Sequence, residues 1–277
     1  MSVAARSNLQ QRVLSGVALI VVALALTYAG GIWYRLLAAA ISGAVLYEWL
    51  AMTSASQPAS NRWLAVGFLA ILLVLLLSGQ PPSFLLPALV GSVLVTVAHA
   101  VRVNAGFWIS GGLAYAGLLG ISLAALRGKG GAGLEATLFL FAVVWGTDIL
   151  AYFVGRAIGG PKLAPSISPG KTWSGALGGT VAAILAGLAV AQAFGSPLAW
   201  TSLIALTLAL SVVSQIGDLF ESSIKRRFGA KDSGTLIPGH GGVMDRVDGL
   251  ATAAFILFAL GALFAGPDAP ATAFFQN

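Results

Sequence analysis

Asp218 and Glu221, then Lys225, Arg226, Arg227 and Lys231, then Asp245, Arg246 and Asp248 all fall within 31 residues. That stretch holds ten of the 24 charged residues of a 277-residue chain that is 58% hydrophobic and 9% charged. Carboxylates at its two ends could converge on a divalent cation, and the metal could bridge the phosphates of a nucleotide. The cations between them suit phosphate oxygens. Taken singly, Asp218 or Asp248 could equally neutralise a neighbouring Arg. His240, between Gly239 and Gly241, suits either a phosphate contact or a solvated turn.

A second polar segment runs from Trp145 to Gly175 and combines Asp148 with Arg156, Lys162, Lys171, three prolines and several glycines. Glycine lets backbone amides approach a phosphate, while Lys and Arg balance its charge. An ordinary basic loop at a membrane surface has a similar composition. Asp148 favours the functional reading, because a carboxylate inside an apolar span is costly without a partner.

Apolar runs of membrane-spanning length must position these groups. A mean hydropathy of +0.91 excludes an ordinary soluble domain. The pattern predicts an all-α polytopic membrane protein with about nine transmembrane helices and two polar cytoplasmic loops. The expected spans are 13–29, 33–51, 63–78, 83–101, 107–126, 134–155, 174–195, 199–224 and 249–266. The first run is too long for a signal peptide and lacks a cleavage site, so it reads as a span. Residues 1–130 form an N-terminal transmembrane region and 131–277 a C-terminal catalytic region. With the N-terminus inside, 12 of the 15 Lys and Arg residues lie on the cytoplasmic side; Arg35, Arg127 and Lys129 lie outside. This bias puts both polar loops in the cytoplasm and the C-terminus outside. The net charge of +6 therefore points to anionic lipid, with no nucleic-acid motif beside it. The chain has no cysteine and two histidines, so disulfides and thiolate sites are excluded, and any metal is a hard ion held by oxygen.

The stretch SSIKRRFGAKDSGTLIPGHGGVMDRVD, Ser222 to Asp248, resembles the signature of the phosphatidate cytidylyltransferases, or CDP-diglyceride synthetases. The matching positions run from Ser222, Lys225 and Arg226 through Lys231, Asp232 and Pro238 to His240, Gly241, Gly242, Asp245, Arg246 and Asp248. The likeness extends to QIGDLFES before the signature and to the segment from Asp148 through KLAPSISPGKT to Gly175. One departure stands out: Ser174 occupies the position after KTW where the family usually carries Glu.

The resemblance implies an enzyme of the bacterial inner membrane, its active site facing the cytoplasm. It would join CTP to phosphatidic acid among the membrane lipids, giving CDP-diacylglycerol and pyrophosphate. Mg2+ is the implied cofactor; a second, monovalent ion and a homodimer are left open. Asp218, Asp245 and Asp248 are the expected metal ligands, with Asp148 and Glu221 as further participants. Lys225, Arg226, Lys231, His240 and Arg246 are assigned to phosphates, and Lys162, Ser168, Lys171, Thr172 and Ser222 to the substrates. A CDP-alcohol phosphotransferase would also cluster aspartates on membrane helices, but the chain lacks a DGxxAR element. A transporter would place its charges near mid-membrane, whereas here they gather at span ends.

Overall fold

The computed structural model of the chain describes residues 3–53, 57–237 and 241–276, with side chains from residue 15 onward. Nine α-helices stand among the described residues. They are α1 (Val3–Ala29), α2 (Gly31–Thr53), α3 (Ala59–Ser78), α4 (Pro82–Arg102), α5 (Trp108–Arg127), α6 (Gly131–Ile158), α7 (Trp173–Ala193), α8 (Trp200–Arg227) and α9 (Met244–Ala265). Eight of them, α2 to α9, are long and apolar enough to cross a membrane, and α1 contributes the shorter apolar stretch Ser15–Ala29. Each expected span has its helix. In hydrocarbon the backbone must satisfy its own hydrogen bonds, so an apolar run of this length folds as helix. Large apolar side chains such as Leu263 and Phe264 stay exposed, which suits a lipid-facing surface of an integral membrane protein.

Two of the expected boundaries move. The ninth helix starts at Met244 instead of near residue 249, which draws Asp245 and Asp248 into its first two turns. The segment after α6 is not merely a loop: β1 (Lys162–Ala164) and β2 (Ser168–Thr172) form an antiparallel hairpin, with Lys162 opposite Thr172 and Ala164 opposite Ser168. Gly159 and Gly160, at φ 67° and 99°, make the turn out of α6 that lets the hairpin begin.

The chain divides into two compact units near residue 125. The first comprises Met1–Ala124 with Phe228–Arg246, so most of the signature loop belongs with the N-terminal helices; the second comprises Ala125–Arg227 with Val247–Asn277. In the first unit Trp49 of α2 donates its indole N–H to the Trp108 carbonyl at 2.7 Å and stacks on Tyr115 of α5. Gly112 makes room for that indole, since a Cβ there would lie 2.4 Å from Trp49 Cδ1.

In the second unit α6 and α7 meet through small residues. A Cβ on Gly175 would come within 2.6 Å of the Ala151 carbonyl, and one on Gly179 within 2.5 Å of the Thr147 carbonyl. Helices in lipid gain most from such close backbone approach. Polar side chains then join three helices: Thr147 of α6 bonds Ser211 of α8 at 2.9 Å, and Gln215 of α8 donates to Thr180 of α7 at 3.1 Å. This ladder ends one turn before Asp218.

Candidate active site

Asp218 lies near the cytoplasmic end expected for α8, half-buried, and pairs with the Lys171 ammonium supplied by β2. One turn further, Glu221 is fully buried and pairs with Lys225 at 2.6 Å along the same helix. Asp248 comes from α9, and the reason it lies close is again glycine. A Cβ on Gly217 would meet Thr252 Oγ1 at 2.1 Å and the Asp248 carbonyl at 2.7 Å, while one on Gly249 would meet the Ser214 carbonyl at 3.1 Å. The two helices therefore cross backbone to backbone at the residues beside Asp218 and Asp248. Thr252 locks the crossing by donating to the Val213 carbonyl at 3.1 Å. Asp148, in the second half of α6, is exposed.

Asp218 and Glu221 thus lie one turn apart on α8, each paired with a lysine, and α9 brings Asp248 to the crossing beside them. Among the described residues no three acid or histidine side chains already stand together as a metal-binding group. The donor set is nonetheless all carboxylate, with no sulfur, and such oxygens suit a hard divalent cation.

The hairpin supplies the cationic side. Lys162 is exposed, Ser168 and Lys171 are half-buried, and Thr172 is buried. Thr172 does a structural job: its hydroxyl caps α7 by accepting the Gly175 N–H at 3.1 Å. Ser174 shares that corner, donating to the Gly159 carbonyl and lying 3.1 Å from Thr172 Oγ1. A short hydroxyl at this position ties the residue after α6 to the start of α7. Arg226, at the end of α8, donates from Nε to the Ile167 carbonyl at 3.3 Å and so holds the hairpin tip. Ser222 is half-buried on the turn before it.

In the first unit, Lys231 and Arg246 are exposed. Asp245 accepts the Ser233 N–H at 3.0 Å and the Gly242 N–H at 2.8 Å, which closes the signature loop onto the start of α9. Gly241 sits at φ 81°, and a Cβ there would lie 2.9 Å from Asp245 Oδ2, so both backbone and space call for glycine. Of the three carboxylates expected at a metal, Asp218 and Asp248 flank the α8–α9 crossing, whereas Asp245 belongs to this loop. His240 and Pro238 lie outside the described residues.

One residue of this region was missed by the sequence reasoning. Glu48 of α2 is fully buried and accepts the Val243 and Met244 N–H groups, each at 2.8 Å, and the Ser233 hydroxyl at 3.0 Å. It is the sole acid among the first 134 residues, and the cost of a carboxylate in an apolar span, the argument applied to Asp148, also singles it out.

The chain is similar in sequence to several known proteins. A phosphatidate cytidylyltransferase of Brucella suis is 47% identical over 270 residues, 98% of this chain and 99% of its own length. One of Bacillus subtilis is 33% identical over 269 residues, 93% of this chain and 99% of its own length. One of Haemophilus influenzae is 46% identical over 125 residues, 44% of this chain and 43% of its own length. Residues 10–264 match the cytidylyltransferase family, and the chain belongs to that family.

Proposed function

We propose that this membrane enzyme condenses CTP with phosphatidic acid, forming CDP-diacylglycerol and pyrophosphate. A phosphate oxygen of phosphatidate attacks the α-phosphorus of CTP; the new P–O bond forms as the bond to the β-phosphate oxygen breaks. The attacking oxygen is already anionic, so the protein must align the two phosphates and offset their charge more than remove a proton. Phosphatidate keeps its tails in lipid while CTP arrives from the cytoplasm.

The observation that carries the reading is the close crossing of α8 and α9 at Gly217 and Gly249, next to Asp218 and Asp248, with Lys171 paired to Asp218, within a chain that carries the full signature. Asp218 and Asp248 would hold Mg2+, with Glu221 and Asp148 shaping the negative field around them; Asp245 keeps its motif-based assignment as a further ligand. Magnesium, when bound, offsets phosphate charge and orients the reacting oxygens. Lys171 gives a phosphate a cation next to the carboxylates. Lys162, Lys225, Arg226, Lys231, His240 and Arg246 complete the basic set for CTP, phosphatidate and pyrophosphate. Ser168 and Ser222 offer hydroxyls to the same oxygens.

The site faces the cytoplasm of a bacterial inner membrane in this reading, supported by the Lys and Arg bias and by the bacterial relatives. The deciding experiment is pyrophosphate release by the purified protein in detergent. Release should require CTP, phosphatidate and a divalent cation together, and stop when a chelator is added. Release independent of phosphatidate, or none at all with both substrates and Mg2+ present, would overturn the proposal.

A further inference from the structure

Every donor around Glu48 comes from the signature loop or the start of α9. Val243 N–H binds one carboxylate oxygen, and Met244 N–H and the Ser233 hydroxyl bind the other. The loop is cut to fit this side chain: a Cβ on Gly242 would lie 2.5 Å from Glu48 Oε2 and 2.0 Å from Ser233 Oγ, and one on Gly234 would lie 2.8 Å from Glu48 Oε1. Helix α9 begins at Met244, so its first amides receive their acceptor from another helix instead of from a local capping side chain. A negative group there also complements the helix dipole. Asp245 and Arg246 follow directly, and Asp245 bonds the same Ser233 and Gly242 from the other side.

We infer that Glu48 is a positioning residue for the signature loop, fixing the start of α9 so that Asp245 and Arg246 leave it in one geometry. This rests on the activity proposed above. A carboxylate with three donors and no exposure has the geometry of a clamp, and a buried charge-assisted network of this kind holds one conformation more firmly than apolar packing would. Glu48 need not touch substrate to do this.

Glu48→Gln tests the idea, because an amide offers one acceptor oxygen where two backbone N–H groups and a hydroxyl need two. In full-length, monodisperse protein, CTP- and phosphatidate-dependent pyrophosphate release should fall on the order of 100-fold in kcat with KM unchanged, as expected when a reacting group is misplaced. Hydrogen exchange at the Val243 and Met244 amides should speed up in the same preparation. A purely structural role predicts poorer yield with wild-type kcat in the molecules that fold, and that result overturns the inference. If Glu48→Gln cannot be isolated, Ser233→Ala and Gly242→Ala perturb the same clamp from the loop side, and wild-type kcat in both overturns it. Failure of the wild-type protein to release pyrophosphate would sink the proposed activity instead, and the amide exchange would still read whether Glu48 holds the loop.

Discussion

Gly217→Ala adds a single methyl group at the crossing of α8 and α9 and should disable the enzyme without altering any charged residue. The new Cβ would lie 2.1 Å from Thr252 Oγ1, 2.8 Å from Thr252 Cγ2 and 2.7 Å from the Asp248 carbonyl oxygen. Ordinary contact is about 3.5 Å, so the two helices must part by roughly 1 Å. Overpacking of this kind costs about 1–3 kcal/mol of stability. The larger effect is on Asp218 and Asp248, which lie next to the crossing glycines on the two helices. A displacement of about 1 Å in a reacting constellation costs on the order of 100-fold, equal to about 2.7 kcal/mol in the barrier. The assay is kcat for pyrophosphate release per monodisperse molecule, beside the thermal midpoint of the same preparation. Thr252→Ala removes two of the three clashing atoms, so the double variant should regain part of the loss, while the Asp248 carbonyl prevents full recovery. Wild-type kcat in well-folded Gly217→Ala would refute the argument that the glycine crossing sets the carboxylate pair.

Asp218→Asn keeps the side chain's size but removes the charge that Lys171 balances, and should abolish most turnover in folded protein, several kcal/mol of transition-state stabilisation by order of magnitude; near-normal, magnesium-dependent kcat would withdraw Asp218 from the metal. Arg226→Ala and Lys231→Ala should each raise KM for CTP or phosphatidate, since both are exposed cations of the basic group; unchanged kinetics in both would leave that group as a membrane-surface anchor. A reporter fused to the C-terminus should be active only outside the cytoplasm, following the 12-to-3 division of Lys and Arg; cytoplasmic activity would overturn the nine-span topology and leave the chemistry intact.

What the sequence determined by itself is whatever depends on local composition. Each apolar run of about 20 residues has one satisfactory backbone in hydrocarbon, so the helices and their order were legible, and the signature from Ser222 to Asp248 named the chemistry by residue type and spacing. The tertiary structure alone decided which of these residues meet. Lys171 and Asp218 are 47 positions apart, and only the hairpin between α6 and α7 brings them together. Gly217 and Gly249 read as unremarkable small residues until the helices cross there. That Thr172 caps α7 was not legible from its place in the motif, while Glu48, 195 residues from Val243, gained its meaning from the amides it accepts. Spacing along a chain fixes periodicity and motif, but a buried carboxylate is satisfied by whichever donors the fold delivers, and those donors come from a distant segment that no local pattern encodes.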